Sequence, residues 1–317
     1  MANPVFCFGF QRSGTTLLSM MLDSHPDFAV PFSVTGLWYK YDKKIHVYDD
    51  LRSLPDLERL VDDLLKEERI RLWQVPLGRE TVLSDLPLGN YPAVIARFHT
   101  LYARHHGKCH WGHLDIATLV HMGVAMKWFS DAKFVHLVRD GRDVALSNQD
   151  IPYSVGNLGE CATAWHQDVS ANLKLGERLG SERYLAVPYE RLVAQPEVAL
   201  RSLCDFLCLP FSPAMLDYTK KVRQRVPADR LFLWPKLADP PDSTRAFRWK
   251  VEMSAAQRTV FETIAGPTLH ALGYETELTP RVRGRAKLLE AWYALGRGHR
   301  WPRLAQRLGF ARGRGSR

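Results

Sequence analysis

Short apolar runs alternate with amphipathic stretches along this chain. Val5–Phe8 is an apolar run that stops at Gly9, and residues 17–22, Leu-Leu-Ser-Met-Met-Leu, have helical character after a glycine-containing loop. That reads as strand, loop, helix. Ser24-His25-Pro26 ends the helix, because the residue before proline is driven out of the helical region, and a second short strand is expected at 28–30. Residues 54–73 predict an amphipathic helix with Leu57, Leu60, Val61, Leu64 and Leu65 on one stripe, and 93–106 predict another. The block 36–110 therefore reads as a helical insertion over the sheet, of the kind that shapes a binding pocket. Lys133–Val138 is a buried-strand run, 139–143 the loop after it, and 144–147 open a helix. A strand at 184–187, a helix over Pro196–Leu207 and a last helix at 257–272 follow. Strands alternating with helices predict an α/β fold, a parallel sheet flanked by helices.

Composition narrows the class. The chain has 317 residues, 46% hydrophobic and 24% charged, which is ordinary globular make-up with no internal repeat. No window of about 18 apolar residues exists, and Met1-Ala2-Asn3-Pro4 lacks a basic region and a cleavage site, so a cytoplasmic protein is expected. Five scattered cysteines, Cys7, Cys109, Cys161, Cys204 and Cys208, give neither a disulfide framework nor a zinc motif. Cys204 and Cys208, four apart, are expected as buried thiols on an apolar helix face. The net charge of +9 is uneven: residues 281–317 hold ten arginines, Lys287 and a single acid, Glu290, leaving 32 bases against 33 acids in 1–280. The organisation expected is thus one domain over 1–280 and a basic amphipathic tail over 281–317. A near-neutral body does not call for nucleic acid at the active site.

The strongest local signal is Gly9-Phe10-Gln11-Arg12-Ser13-Gly14-Thr15-Thr16. It has the glycine spacing of a phosphate-binding loop between a strand and a helix, where backbone N–H groups and the helix dipole together hold an anion. This makes the fold P-loop-like. The lysine that a nucleoside-triphosphatase places after the second glycine is replaced by Thr15, and the cation sits earlier, as Arg12. No acid follows the Lys133–Val138 strand to hold Mg²⁺; it ends at Arg139. That strand end opens a second anion site: Arg139, with Ser147 eight residues on in the first turns of the next helix. An arginine fork plus a hydroxyl suits a phosphate monoester.

Two phosphate sites, one of Walker-A shape without its lysine and one of Arg-x7-Ser form, resemble those of the sulfotransferases that use 3′-phosphoadenosine-5′-phosphosulfate (PAPS). The string Arg12-Ser13-Gly14-Thr15-Thr16-Leu17-Leu18, with His25-Pro26 after the helix, looks like the bacterial branch and the protein-tyrosine sulfotransferases. Further matches are Val187-Pro188-Tyr189-Glu190-Arg191-Leu192 and Arg248-Trp249-Lys250, and the likeness runs over about 4–275. The resemblance implies PAPS as co-substrate without a metal, and an acceptor carrying a hydroxyl. It implies that Ser13, Gly14, Thr15 and Thr16 cradle the 5′-phosphosulfate and that Arg12 neutralises the bridging oxygen. Arg139 and Ser147 would bind the 3′-phosphate, Tyr189 would lie by the nucleotide, and Arg248 with Lys250 would close over it. In-line transfer of this kind rests on positioning and on donors aimed at developing charge.

The chain also departs from that pattern. Bacterial relatives carry a glutamate after His-Pro; here the position is Phe32 or Ser33. Relatives carry Trp-Gly-x-Lys before the 3′-phosphate strand; here Trp111-Gly112-His113-Leu114-Asp115 has no lysine. An acceptor hydroxyl must still lose its proton. His113 is the first candidate base, since imidazole titrates in the right range, and Asp115 the second. His25 reads as a cap on its turn, and His99, His110, His121 and His136 as structural or surface residues. A non-catalytic nucleotide binder and a P-loop kinase are the alternative readings. In the tail, Leu288, Leu289, Trp292 and Leu295 recur at helical spacing among arginines. That pattern suits packing on a partner, an acidic polymer, or peripheral binding to an anionic membrane surface.

Overall fold

Five parallel strands form one sheet in the computed structural model of the chain, which describes residues 4–32, 36–115, 119–149, 156–226 and 237–277, with backbone only at 119 and 120. In chain order the strands are β1 (Val5–Phe8), β2 (Phe28–Ala29), β3 (His110–Asp115), β4 (Lys133–Val138) and β5 (Tyr184–Pro188). Across the sheet they lie in the order β2-β3-β1-β4-β5. The chain leaves central β1, crosses to the β2 edge, returns through β3 and then passes to the other side. The order reverses at β1, and in open α/β sheets the crevice outside the carboxyl ends at such a reversal is where ligands bind.

The helices are α1 (Thr15–Asp23), α2 (Leu37–Asp42), α3 (Leu54–Lys66), α4 (Glu68–Arg71), α5 (Arg79–Leu83), α6 (Tyr91–His105), α7 (Leu119–Trp128), α8 (Gly141–Gln149), α9 (Leu158–Leu179), α10 (Tyr189–Ala194), α11 (Pro196–Leu207), α12 (Tyr218–Arg225), α13 (Trp249–Glu252) and α14 (Ala255–Ala271). Central β1 is buried on both faces, as a continuous apolar run in a parallel sheet should be. Cys7 packs with Leu18, Met21 and Leu137 under α1. Phe6 and Phe8 face the opposite way, onto Met122, Ala125 and Phe134 beneath α7. The insertion has its own core, with Leu57, Leu60, Val61 and Leu64 packed among Trp38, Phe98 and Tyr102. Burying each leucine or phenylalanine there stabilises by roughly 1.5–3 kcal/mol.

Three expectations change. The stripe over 54–73 is two helices: α3 ends at Lys66 because Glu67 turns extended (ψ 129°), its carboxylate accepting from Lys40 Nζ and Tyr41 Oη. Residues 110–115 form a strand that no apolar run announced. Gly112 lets it pack there, since a Cβ would lie 2.8 Å from the Phe28 ring. Cys204 is buried as expected, but Cys208 is exposed. It caps α11 in a left-handed conformation (φ 58°), so it leaves the helix face that the spacing assigned to it. Ser33 and residues 281–317 lie outside the described residues. No helix among the described residues is long and apolar enough to cross a membrane.

Candidate active site

The loop from β1 to α1 is built around its two glycines. Gly14 adopts φ 92° at the N-cap of α1, and a Cβ there would lie 2.6 Å from Tyr189 Cδ2. Only glycine meets both demands at no cost. A Cβ on Gly9 would come within 2.5 Å of the Leu137 carbonyl oxygen, so the loop lies directly against β4. Arg12 is also left-handed (φ 68°), held by a turn in which Ser13 N–H donates to the Phe10 carbonyl (3.1 Å). No side chain caps α1, leaving the first-turn N–H groups to an incoming anion. Ser13 Oγ is buried and has no hydrogen-bond partner among the described residues. Such an orphaned hydroxyl is costly unless a ligand takes it.

β4 delivers Arg139 to the neighbouring strand end. Its guanidinium donates to the Arg12 carbonyl (3.0 Å) and the Arg245 carbonyl (2.7 Å) and lies 4.4 Å from the centre of the Tyr189 ring. Its Nε has no hydrogen-bond partner among the described residues. Arg12 in turn donates through Nε to Ser147 Oγ on α8 (3.1 Å). Arg12 is thus held at both ends: its backbone carbonyl accepts from Arg139, and its side chain donates to Ser147. Tyr189, the first residue of α10, forms a wall against Gly14, and burial raises its hydroxyl pKa.

Behind this cradle lies a buried ionic network that the sequence reading missed. Fully enclosed Arg142 pairs with Asp140 (2.8 Å) and Glu262 (2.7 Å) and lies 3.4 Å from the centre of the Trp249 ring. Glu190 accepts from Asp140 N–H and from Tyr274 Oη, 2.9 Å each. Asp143, read as one residue of a loop, is buried and accepts from Trp249 N–H (2.9 Å). Burial raises its pKa. These bonds tie the 245–250 segment to α8. The alternating Arg-Asp-Gly-Arg-Asp string is the signal that could have shown this network. Arg248 and Lys250 lie on the outer face of that segment, paired with Glu252 (2.6 Å) and Glu275 (2.7 Å).

The third strand end carries Asp115. In register it stands opposite Phe8, the residue before Gly9, so it borders the phosphate-binding loop. Its Oδ2 receives His121 Nδ1 (3.2 Å) and Gly36 N–H (3.2 Å), and His113 Nε2 stands 3.6 Å away. Burial pushes the Asp115 pKa up, but the two imidazoles outweigh it and hold the carboxyl below the usual range. His113 is 0% exposed, and neither ring nitrogen has a hydrogen-bond partner among the described residues. His121 stacks flat on Tyr39, with ring centres 3.7 Å apart.

A model of the sulfotransferase family matches residues 4–213. The chain belongs to the sulfotransferase family. It is 25% identical over 303 residues to a protein-tyrosine sulfotransferase of Drosophila melanogaster and 22% identical over 302 residues to protein-tyrosine sulfotransferase A of Caenorhabditis elegans. These matches cover 91% and 90% of the chain; it spans about half the length of the fly relative (54%) and 71% of the worm one. Among solved structures, the sulfotransferase domain of the Synechococcus PCC 7002 olefin synthase superposes with a TM-score of 0.59 at 23% identity, covering 86% of this chain and 96% of that one. The sulfotransferase domain of the curacin biosynthetic pathway gives 0.56 at 18% identity, covering 87% and 99%. Both likenesses show the fold.

In this member of the sulfotransferase family, Arg12, Ser13, Gly14, Thr15, Thr16, Arg139, Ser147 and Tyr189 come together at the carboxyl ends of β1, β4 and β5. His113 and Asp115 come up beside them on β3. Arg248 and Lys250 flank the group without touching it in any of the contacts described. His25 caps its turn as read: Nδ1 accepts from Asp27 N–H (3.1 Å) and Nε2 bonds the Pro210 carbonyl (2.8 Å). Among the described residues no cluster of His, Cys, Asp and Glu is arranged to hold a metal ion.

Proposed function

We propose that this protein transfers a sulfonate group from PAPS to a hydroxyl acceptor by in-line displacement. The observation that carries the reading is the interlock of Arg12, Arg139 and Ser147 around a capless helix N-terminus. Buried donors and an unpartnered hydroxyl, Ser13 Oγ, fit two separated anionic groups of one nucleotide. Thr15 in place of a Walker lysine argues against ATP as the donor. Backbone N–H groups of the loop with Ser13, Thr15 and Thr16 would hold the 5′-phosphosulfate. Arg12 would stabilise charge on the leaving phosphate, where preorganised donors act most strongly. Arg139 Nε and Ser147 would meet the 3′-phosphate, with Tyr189 against the nucleotide and Arg248 and Lys250 folding in from outside. Removal of the acceptor proton belongs to the group around Asp115, with His113 behind it.

The test is release of adenosine 3′,5′-bisphosphate from PAPS in the presence of phenols and sugars. Release that requires both a hydroxyl compound and Arg12 supports transfer. Release in neither case, alongside Mg²⁺-dependent ATP turnover, overturns it.

A further inference from the structure

We propose that His121, with its ring oriented by Asp115, is the base that takes the acceptor's proton. The proposal rests on the sulfotransferase reading above and deepens it. Two imidazoles converge on one carboxylate oxygen, but they do so from different sides. Paired in register with Phe6, His113 stands on the face of β3 that α7 covers, its side chain 0% exposed, enclosed by Phe6 and His99, with centroids 5.6 Å and 5.4 Å away. It cannot meet a substrate without leaving the core. The His121 side chain is 10% exposed. Its Nδ1 is committed to Asp115 Oδ2 at 3.2 Å, so that nitrogen carries the proton and the opposite one, Nε2, is left as a lone-pair acceptor.

The ring cannot turn away, because it is clamped flat on Tyr39 (6° between planes), which stacks in turn on Trp128. Phe6, Phe8, Phe134, Met122, Asp115 and His121 line a mostly apolar cavity of about 10 Å³, room for about one water, between β1 and α7. An anionic partner on Nδ1, a stacked ring and an open Nε2 are what a general base needs. In the step, the acceptor O–H proton passes to His121 Nε2 as the acceptor oxygen bonds sulfur. The bond from sulfur to the bridging oxygen breaks, and its electron pair leaves on the 5′-phosphate. The imidazolium formed is stabilised by Asp115. Asp115 is a positioning residue here, and His121 the catalytic one.

The test combines imidazole ¹⁵N NMR of the full chain saturated with adenosine 3′,5′-bisphosphate and sulfonate transfer from PAPS to phenol and to 4-nitrophenol. In the wild type His121 is expected as the Nδ1–H tautomer, and Asp115→Asn is expected to shift it toward Nε2–H. His121→Gln is expected to bind adenosine 3′,5′-bisphosphate within about twofold of wild type. It should lose roughly 10²–10⁴-fold in transfer to phenol, the range for a lost general base, and markedly less with 4-nitrophenol, whose proton is already off near neutral pH. An Nε2–H tautomer in the wild type, or equal losses with both phenols, overturns the proposal while leaving donor binding intact. Loss of nucleotide binding by the wild type would instead sink the donor reading.

Discussion

Arg12 and Ser147, 135 residues apart in the chain, meet through a single hydrogen bond of 3.1 Å that joins the phosphate-binding loop of β1 to the last turn of α8. The bond holds the Arg12 guanidinium between the two proposed phosphate sites. Ser147→Ala removes its partner and one ligand of the 3′-phosphate. A hydrogen bond to a charged group contributes about 1.5–3 kcal/mol, so adenosine 3′,5′-bisphosphate should bind roughly 10- to 100-fold more weakly, with Tm close to wild type. Unchanged affinity by calorimetry would remove Ser147 from the site.

Gly14→Ala tests the geometry of the loop. The added methyl would stand 2.6 Å from the Tyr189 ring on a backbone at φ 92°. Strain of about 1–3 kcal/mol per such position should lower Tm by several degrees. Nucleotide binding should fall further than stability, because the displaced Tyr189 is itself a wall of the site. Thermal unfolding with and without adenosine 3′,5′-bisphosphate separates the two effects.

Arg142→Met tests the buried network. It leaves Asp140 and Glu262 without their cation, and breaking a buried pair in this way costs about 3–5 kcal/mol. Urea unfolding should show that loss. Glu262→Gln, which keeps the hydrogen bond, should lose clearly less.

Stability should fall on acidification. Burial pushes the imidazoles of His99 and His136 down to about 3, against about 6.5 in an unfolded chain. Between those values the unfolded state binds more protons, so their contribution is complete above about pH 6.5 and declines toward pH 3. Asp115, held below the usual carboxyl range, adds a further loss below about pH 4. Asp143 and Glu190, raised by burial, oppose it in part. Urea midpoints at pH 7.5, 6 and 5 should drop steadily, and a His99→Gln/His136→Gln double variant should show a smaller slope. An equal slope would contradict the assignment.

What could be read in advance follows from how local each signal is. The β1 loop and the Arg139 strand end are contiguous strings whose chemistry is carried by neighbours in sequence, so both were legible as candidate anion sites; that β1 and β4 are neighbours came only with the sheet order. β3 was not, because His-Trp-Gly-His-Leu-Asp shows no apolar run. It is a strand because β1 and β2 pair with it on either side. Its late recognition hid the fact that Asp115 borders the loop. The partnership of Asp115 with His121 depends on α7 folding back over the sheet, and no spacing rule contains that. Arg142 reads as a surface charge until Glu262, 120 residues on, is seen to meet it.

The most direct test of the account is calorimetric titration of the full chain with adenosine 3′,5′-bisphosphate, beside ATP with Mg²⁺ and beside Arg139→Ala. The account predicts micromolar binding of the bisphosphate, weakened at least tenfold in Arg139→Ala, and little response to ATP with Mg²⁺. Absence of bisphosphate binding, or a preference for ATP with Mg²⁺, would contradict it.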